Sequence, residues 1–271
     1  MGYTEAERAR LMRQAKMLEK PTREIFLSAG LSSGMRVLDF GCGMGDVSLL
    51  SASIVGPGGR VTGVDRDARA IECARQRIGN LPVRFEVSDL DGLASLVYSH
   101  GPFDAVVGRL LLFHLPEPVA ALRTFGSLVR SGGLIVFVES EVGVNVHTNH
   151  EYPETRRIVD MMRETLRRAG VHMKLGTQLP RIFYEAGLGW PETSLHVVMG
   201  SGEDFEGYDM WADIAASLLP LAEKFGIATA AEMDLPTLAE RVRREVVGTK
   251  GSLPCYFQVG AWVRTAHSPG S

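Results

Sequence analysis

Closely spaced glycines with a carboxylate on either side carry the clearest chemical signal in this sequence of 271 residues. Gly41, Gly43 and Gly45 directly follow an apolar run, with Asp39 before them and Asp46 after them. Glycine lets the backbone approach a ligand closely, and a helix that begins after such a turn presents free N–H groups to it. The segment therefore predicts a strand, a turn and a helix that bind a nucleotide-like ligand.

The spacing of the glycines distinguishes between two kinds of ligand. A dinucleotide fingerprint is spaced G-x-G-x-x-G, whereas these three glycines are spaced G-x-G-x-G and Asp46 stands where the third glycine of the longer motif would fall. Asp39 would repel the phosphates of a dinucleotide but attract the ammonium group of an amino acid. The pattern favours a cationic, methionine-like ligand over a pyrophosphate.

The elements that must position these residues alternate between short apolar runs and segments of helical period, which is typical of a parallel sheet covered by helices. We predict strands at 35–40, 60–65, 83–87, 103–108 and 134–139, helices near 46–55, 67–78, 92–98 and 117–129, and two late strands at 193–199 and 256–265. Glycine and proline punctuate most of these boundaries. The predicted fold class is α/β.

Helical segments are expected before and after this sheet. Apolar positions at helical spacing predict a first helix, and Pro21 then starts a second helix that ends near Gly30. Later helices are expected over the residues before Gly170, at 179–186, around Trp211, and after a capping box opened by Thr237. We expect a single domain over 1–271, with cap helices at 1–30, a cofactor-binding core at 31–140, and helical lid insertions at 141–176 and 201–250.

Composition and charge restrict the classes of function. The chain is 45% hydrophobic and 23% charged, and its net charge of -3 disfavours a nucleic-acid surface, which needs clustered cations. The three cysteines form no CxxC pair, and the sequence shows neither a signal peptide nor an apolar run long enough to span a membrane. We expect a cytoplasmic protein whose partner is a small molecule rather than nucleic acid or a membrane, with homodimerisation left open.

The sequence resembles the class I S-adenosylmethionine-dependent methyltransferases of the bacterial small-molecule type, whose glycine motif is matched by Asp39, Gly41, Gly43 and Gly45. The resemblance in motif order extends over residues 35–140 and fades beyond them. It implies a Rossmann-like three-layer sandwich with a mainly parallel seven-stranded sheet, a late antiparallel strand, and helical lid segments. The implied cofactor is S-adenosyl-L-methionine, and the implied reaction transfers its methyl group to oxygen, nitrogen or carbon of a small acceptor.

Further positions match the cofactor-binding motifs of this family. An acidic residue that ends the second strand receives both ribose hydroxyls in the family, and Asp65 stands at that place. Asp89 and Leu90 resemble the adenine site, where a carboxylate accepts from the exocyclic amine and an apolar neighbour covers the ring. The segment after the fourth strand resembles the part beneath the methionine moiety, where Arg109 pairs either with the cofactor carboxylate or with Asp104.

Two residues beside these motifs extend the expected cofactor site. Arg66 could indicate the 2′-phosphate of NADP, but the adjacent Asp65 would repel that phosphate. Gln14 lies on the first predicted helix, and similar bacterial methyltransferases fold such helices over the cofactor. Gln14 then reaches the methionine end, with an ordinary surface glutamine as the alternative.

Histidines are the candidate bases for an acceptor that enters protonated. His114 and His150, together with His147, follow the fourth or fifth strand, and the carboxyl ends of parallel strands form the ligand crevice. We take His114 and His150 as the candidate catalytic residues, with a packing or loop histidine as the alternative. The histidines near 150, with Glu139 and Glu141 upstream, match no compact ligand motif, so no metal is predicted.

The acceptor is expected to be apolar or aromatic. Trp211, Tyr208, Phe205 and Met162 lie on segments outside the sheet, where they serve either as core residues or as walls of a pocket. The residues after the fourth strand lack the Asn/Asp-Pro-Pro-aromatic motif of the methyltransferases that modify bases, which counts against nucleic-acid methylation.

Two rival functions remain at this point. A nicotinamide-dependent reductase would bind NAD(P) and use a proton donor of the Tyr-x-x-x-Lys type, and the sequence contains no such pair. A repurposed binder of S-adenosylmethionine would bind the cofactor without transferring a methyl group.

Overall fold

A seven-stranded sheet forms the centre of the computed structural model, which describes residues 5–93, 99–141, 152–171 and 173–266. The strands are β1 (Arg36–Phe40), β2 (Arg60–Asp65), β3 (Val83–Val87), β4 (Phe103–Arg109), β5 (Val129–Ser140), β6 (Glu192–Gly200) and β7 (Leu253–Arg264). Their order in the sheet is β3-β2-β1-β4-β5-β7-β6. The first five strands pair in parallel, whereas β7 runs antiparallel to both β5 and β6. The predicted α/β class, the mainly parallel seven-stranded sheet and its late antiparallel strand are confirmed.

Helices pack on both faces of this sheet. They are α1 (Glu5–Ala29), α2 (Asp46–Val55), α3 (Ala68–Arg75), α4 (Pro118–Leu128), α5 (Pro153–Arg168), α6 (Leu175–Glu185), α7 (Gly207–Lys224), α8 (Ala230–Met233) and α9 (Leu235–Gly248), and a turn of 3₁₀ helix spans Leu112–His114. The helix predicted near 92–98 falls largely outside the described residues. None of the helices that the structure describes has the length and apolar character needed to cross a bilayer.

Three of the apolar clusters among the described residues explain most of this arrangement, and a small fourth one packs α3 against β3 through Ile71 and Phe85. One face of the sheet packs against α1 and α2 through residues such as Phe26 and Val55, and the opposite face packs against α4 and α6 through Phe125 and Phe183. A separate core joins α5, α7 and α9 around Trp211, which is fully buried. Burial of apolar surface on this scale is the main stabilising contribution to folding. The helices of the third core fall within the segments 141–176 and 201–250, whose role as lids stays a prediction.

The N-terminal segment forms one helix rather than the two that we predicted. Pro21 lies inside α1, where its ring nitrogen cannot donate a hydrogen bond to the preceding turn. An interior proline costs about 3 kcal/mol, but it does not end a helix that tertiary packing holds in place. Leu18, Ile25 and Phe26 are fully buried on either side of Pro21, and Thr22 Oγ1 donates to the Leu18 carbonyl. Packing of α1 against the sheet and against the α5, α7 and α9 cluster therefore outweighs the local preference.

Two further expectations about helix ends were wrong. The predicted capping box at Thr237 is absent because Thr237 lies within α9, where its hydroxyl bonds back to Asp234. A capping box does occur earlier, where Thr229 and Glu232 close the N-terminus of α8. The helix predicted at 179–186 begins instead at Leu175.

Candidate active site

The glycine-rich turn joins β1 to α2 at the carboxyl edge of the parallel strands. Gly41 and Gly43 have φ angles of +72° and +53°, which glycine adopts without steric cost. A Cβ on Gly41 would lie 2.5 Å from Cδ1 of Leu111, whereas a Cβ on Gly43 would have no atom within 4 Å. Gly41 therefore permits close packing against the segment after β4, while Gly43 faces open space at the start of α2.

Asp65 holds this turn from the end of β2. Its Oδ2 accepts a hydrogen bond from the Gly43 N–H at 2.9 Å, and its Oδ1 accepts from the Asp67 N–H at 2.9 Å. Each carboxylate oxygen has two lone pairs, so both oxygens can accept a further donor. Arg66 next to it is exposed. Asp65 thus fixes the glycine turn and retains acceptor capacity for hydroxyl groups.

Asp39 is a buried acid at the base of the turn. Its side chain is 1% exposed, and Ser48 Oγ of α2 donates to its Oδ2 at 2.6 Å. Burial raises the pKa of Asp39 to about 7, while the Ser48 hydrogen bond and the charge of Arg109 act in the opposite direction. The carboxyl group is therefore directed at α2 and changes its charge near neutral pH.

Arg109 ends β4 beneath α1. Its Nη1 donates to Thr22 Oγ1 at 3.0 Å. Burial lowers the pKa of Arg109, while the nearby carboxylates of Asp46 and Asp39 act to raise it. Pairing with Asp104, one of the two alternatives for Arg109, is wrong because Asp104 lies at the opposite end of β4. Asp104 binds two other arginines, Arg130 at 2.6 Å and Arg36 at 3.6 Å.

Asp89 and Leu90 follow β3, as predicted for the adenine site. Asp89 Oδ1 accepts from the N–H groups of Asp91 and Gly92 at 3.2 and 3.1 Å, and its side chain is exposed. These bonds form a local turn of the Asx type. Leu90 packs partly against the core between β1 and α4. Their role in binding adenine stays a prediction.

Of the three candidate bases, the structure describes only His114. His114 is exposed in the 3₁₀ turn, and its ring centroid lies 3.7 Å from that of Phe113. Loss of hydration at the imidazole ring, followed by the positive charge of Arg66, lowers the pKa of His114. His147 and His150 lie outside the described residues. Within the described ranges, no group of three or more His, Cys, Asp or Glu side chains could hold a metal ion.

Glu139 fixes the segment that follows β4. It is fully buried on β5, and its Oε1 accepts from the N–H groups of Leu111 and Leu112 at 2.9 and 2.7 Å. Its Oε2 has no hydrogen-bond partner among the residues that the structure describes. Burial raises the pKa of Glu139 to about 8, although the backbone N–H groups lower it. Leu110 has a φ of +53°, a strained value for leucine that its 2.9 Å hydrogen bond to the Val138 carbonyl helps to maintain.

A cavity of about 250 Å³ opens beside this segment, between α1, β7 and the helices α5 and α7. Most of its wall is apolar and includes Leu110, Phe113, Met162, Leu166, Trp211 and Leu218. Its polar lining residues are Arg10, Gln14, Ser140, Glu141, Ser217 and Tyr256. Met162 and Trp211 were weighed as pocket residues in the sequence and do line the cavity. Phe205 and Tyr208 instead pack edge to face, with ring centroids 5.5 Å apart, and line no part of it.

A second cavity, of about 300 Å³, lies between α1 and α2 and has a more polar lining. Arg109 and Asp46 both border it, and Arg77 donates to Asp46 Oδ1 at 2.6 Å and to the Met44 carbonyl at 2.7 Å. Gln14 borders the first cavity, so α1 lines both cavities. Gln14 and Arg109, both predicted near the amino-acid end of a ligand, thus border different cavities on either side of α1.

Comparison with known proteins identifies the family. A family model described as "Methyltransferase domain" matches residues 31–187, which is more than half of the chain. The chain belongs to this methyltransferase family. The resemblance to class I S-adenosylmethionine-dependent methyltransferases is confirmed, and the matched range contains the glycine turn, Asp65, Asp89, Arg109 and Glu139 of the methyltransferase domain.

Sequence relatives of the methyltransferase domain match only part of this chain and only part of their own length. The "Ubiquinone biosynthesis O-methyltransferase" of Xanthomonas axonopodis pv. citri (strain 306) is 37% identical over 116 residues, which cover 42% of this chain and 46% of that protein. The "Uncharacterized 37.1 kDa protein in transposon TN4556" of Streptomyces fradiae is 32% identical over 162 residues, 58% of this chain and 44% of that protein. The chain therefore spans a little under half the length of these relatives.

Solved structures share the fold of the methyltransferase domain. A putative methyltransferase from Bacillus halodurans superposes with a TM-score of 0.55 at 17% identity, covering 91% of this chain and 99% of that chain. The [4+2]-cyclase SpnF superposes with a TM-score of 0.53 at 19% identity, covering 92% of this chain and 81% of that chain. At these identities the likeness shows the fold alone.

Several residues of the site were missed by sequence reasoning. Arg10 and Tyr256 line the cavity. From the sequence alone, Arg10 is predicted to be one of several charges on a solvated helix face, and Tyr256 is predicted only to favour a β-strand. Glu139 and Glu141 were weighed only as metal ligands. A usable signal for Glu139 was present, because a carboxylate at the end of an apolar strand is seldom buried without a structural or functional partner.

Proposed function

We propose that this methyltransferase domain binds S-adenosyl-L-methionine over the glycine turn and transfers its methyl group to a small molecule in the 250 Å³ cavity. One observation carries the proposal, namely that a single segment borders both places. Leu111 packs on Gly41 of the turn, while Leu110 and Phe113 line the cavity. A cofactor over the turn and an acceptor in the cavity would therefore lie next to each other, which is the arrangement that methyl transfer needs.

The residues at the turn fit this cofactor chemically. The open space at Gly43 admits a ligand close to the backbone, and Asp65 beside it has acceptor capacity for two ribose hydroxyls. We propose that Asp89 and Leu90 contact the adenine and that Arg109 pairs with the cofactor carboxylate. Asp39, Gly41, Gln14 and Arg66 complete the proposed cofactor-binding set.

The residues of the chain would act mainly by alignment and exclusion of water. When bound, S-adenosyl-L-methionine supplies a methyl group on a positively charged sulfonium, which is a good leaving group. Leu110, Phe113 and Trp211 would hold the acceptor in one orientation, and the apolar wall would keep water away. His114 and His150 are the proposed proton acceptors where the acceptor enters protonated, and His114 adjoins the cavity through Phe113.

Calorimetry and isotope transfer test this proposal. We expect S-adenosylmethionine and S-adenosylhomocysteine to bind and NADPH to give no heat of binding, and we expect a labelled methyl group to appear in one of a panel of phenols, amines and polyketide-like compounds. Binding of NADPH would establish the reductase instead. Binding of S-adenosylhomocysteine without turnover on any acceptor would indicate a repurposed binder, a relevant outcome because one solved structure of this fold is named as a cyclase.

The proposed partner is accordingly a small molecule, without nucleic acid or membrane as a substrate. We further propose a cytoplasmic location, since Cys42, Cys73 and Cys255 are free thiols and a reducing compartment suits them.

A further inference from the structure

The two edges of the sheet are protected to different degrees. At one edge, β3 has only five residues and carries two charged side chains, Arg84 and Glu86. Short strands and charged side chains are common means by which proteins keep an edge from pairing with another chain. At the other edge, β6 has nine residues, and its stretch from Thr193 to Met199 contains no lysine, arginine, acidic residue or proline. The edge at β6 therefore lacks the protection that the edge at β3 has.

The backbone of β6 is regular enough to accept another strand. Its inner side pairs with β7 over the whole length of β6, and no strand of the described ranges pairs with its outer side. The register shifts once, near Met199, where β7 contributes the extra residue, Cys255. The irregularity therefore belongs to β7 and does not interrupt β6. Unpaired N–H and C=O groups along such an edge form a template for another strand.

Exposed apolar side chains follow one face of β6. Leu195, Val197 and Met199 alternate along the strand, so they point to the same face, and they are 56%, 40% and 55% exposed. Just before the strand, Trp190 is 71% exposed, and its ring centroid lies 4.7 Å from that of Tyr184 near the end of α6. We call these five residues the edge strip. They make up more than half of the exposed large apolar side chains among the described residues, and such a concentration marks an interaction surface.

Helix α6 limits the direction from which a partner can approach the edge strip. A Cβ on Gly176 of α6 would lie 2.8 Å from Cγ2 of Val259, which pairs with Leu195 across β7 and β6. The helix thus covers the neighbour of Leu195 and leaves Leu195 bare. Because α6 projects above the sheet beside the strip, a second sheet cannot lie flat on this face. A partner strand would instead join the sheet at its free edge.

The charges beside the edge strip balance each other on the α6 side. Arg181 and Glu185 form an exposed ion pair on α6, and Arg123 donates to the Glu185 carbonyl at 3.1 Å. Glu192 is exposed at the start of β6. Two positive and two negative side chains therefore border the strip. A rim of balanced charge does not repel an identical rim, whereas a rim of one sign would favour an oppositely charged partner.

The apolar area of the edge strip suits a small dimer interface. Aromatic side chains bury about 150–250 Å² each, so Trp190 and Tyr184 at their exposed fractions offer about 250 Å². The other three side chains, each about half exposed, add about 150 Å². Two copies would then bury at most about 800 Å² of apolar surface. Since homodimer interfaces are about 65% apolar, the total is about 1,200 Å², the lower limit for a stable specific interface.

We infer that the edge strip binds a second copy of this chain, with β6 of the two copies paired antiparallel about a two-fold axis near Leu195. Residues opposite each other in an antiparallel pair point to the same face, so the two strips become neighbours on one continuous sheet. The opposite strand directions bring Trp190 of one copy beside Met199 of the other, where a thioether meets an aromatic ring. A two-fold arrangement of this kind is closed, so association stops at the dimer.

This dimer goes beyond the proposed function and leaves the candidate site of each copy in place. None of the five residues of the edge strip lines either cavity. The glycine turn follows β1, and β4, β5 and β7 separate β1 from β6 in the sheet. Association through β6 should therefore leave the affinity for S-adenosylhomocysteine unchanged.

Sedimentation equilibrium of the whole chain tests the inference. We expect a dimer with a dissociation constant of about 10 µM or lower. Leu195→Asp should weaken the dimer at least about tenfold, because two like charges would face each other across the axis. Leu81→Asp makes the same change at an exposed position just before β3, at the opposite edge of the sheet, and should leave the dissociation constant unchanged. Circular dichroism, urea midpoints and S-adenosylhomocysteine binding verify that each variant is folded.

Two further sets of variants test the antiparallel arrangement. Trp190→Glu and Met199→Lys should each weaken the dimer at least about tenfold, and the double variant should recover at least about fivefold, because each new glutamate would meet a lysine of the other copy. Leu195→Cys should form a disulfide between copies on oxidation, since opposite Cα atoms in an antiparallel pair are about 4.5–5.5 Å apart. Wild type and Leu81→Cys are the controls for disulfides formed elsewhere.

Several results would overturn the inference. They are a monomeric wild type at about 100 µM, a dimer that Leu195→Asp leaves intact, and a double variant that associates no better than its parents. A monomer that cosediments with phosphatidylcholine vesicles, and loses this property on Trp190→Ala, would assign the edge strip to a lipid surface instead. Absence of S-adenosylhomocysteine binding from an intact dimer would remove the proposed function and leave the interface in place.

Discussion

Replacing Glu139 tests whether this carboxyl group holds the segment that joins the cofactor turn to the cavity. Glu139→Met keeps the side-chain length but removes the acceptor of two buried N–H groups, those of Leu111 and Leu112. Leaving a buried donor unsatisfied costs about 1–3 kcal/mol, so two donors cost about 2–6 kcal/mol. The apolar methionine avoids the cost of burying a carboxyl group, which places the expected loss near the lower end, at about 2 kcal/mol.

Glu139→Gln is the matched substitution for this experiment. The glutamine oxygen can accept both N–H groups, and its NH₂ group takes the place of Oε2, which has no partner among the described residues. Because the pKa of Glu139 is raised to about 8, the wild-type carboxyl is largely neutral at pH 7, and the neutral amide resembles it. Glutamine also needs no proton uptake on folding, whereas the carboxyl group is ionised in the unfolded chain at pH 7, so we expect Glu139→Gln not to lower the free energy of unfolding.

Urea denaturation and calorimetry provide the two readouts. Glu139→Met should lower the urea midpoint and weaken S-adenosylhomocysteine binding about tenfold, because Leu111 would no longer be fixed on Gly41. Glu139→Gln should retain both properties, and Glu72→Met, at an exposed position on α3, serves as the control for the substitution itself. Should the Met variant match wild type, or the Gln variant be equally impaired, the reasoning about this hydrogen-bonded segment would be refuted.

Three further experiments test the site. Asp65→Ala should weaken S-adenosylhomocysteine binding more than about tenfold with the fold intact. Asp65→Asn can still accept from the Gly43 N–H, so its loss of affinity should be smaller. Calorimetry that finds no loss for Asp65→Ala would remove Asp65 from the site. Gly41→Ala should destabilise the domain by at least about 1 kcal/mol and abolish S-adenosylhomocysteine binding. The new Cβ would lie 2.5 Å from Leu111, and alanine would have to adopt a φ of +72°. A wild-type urea midpoint for this variant would contradict the packing of Gly41 against Leu111. The free energy of unfolding should fall as pH rises from about 4 to about 8. Asp39 and Glu139 have folded pKa values of about 7 and about 8, above their ordinary 3.8 and 4.5, so both bind more protons in the folded state and their ionisation opposes folding. Each group contributes at most about 1.4 kcal/mol per pH unit, and Glu139→Gln should flatten the upper part of this slope; equal slopes in the two proteins would show that Glu139 does not titrate there.

Strand-forming segments could be predicted because the local signals agree with the tertiary structure. Each parallel strand is a short apolar run bounded by glycine or proline, and β2 and β3 were predicted with the bounds that the structure shows. The glycine turn was equally clear, since its φ angles at Gly41 and Gly43 are accessible to few other residues. These features depend on neighbours along the chain, which a sequence displays directly.

Features that depend on distant contacts could not be predicted in the same way. Pro21 was expected to begin a helix, but buried residues of α1 on both sides hold one continuous helix. Arg109 and Asp104 are close in sequence, yet a strand separates them to opposite ends of the sheet, where Asp104 meets Arg130. The polar lining residues of the cavity come from helices and strands that are far apart along the chain, and no local pattern brings Arg10 to β7.

The N-terminal and C-terminal parts of the chain both line the cavity, and both lie outside the range that the family model matches. The matched range, 31–187, holds the glycine turn, while Arg10, Gln14, Trp211 and Tyr256, four lining residues of the cavity, all lie outside it. On the proposed function, the wall that meets the acceptor is thus shared between the matched range, which supplies Leu110, Phe113 and Met162, and the segments outside it. We expect substitutions at Trp211 of α7 and Tyr256 of β7 to change which compound is accepted while the glycine turn stays as it is, which makes these two elements the natural place to redirect the chemistry of this domain.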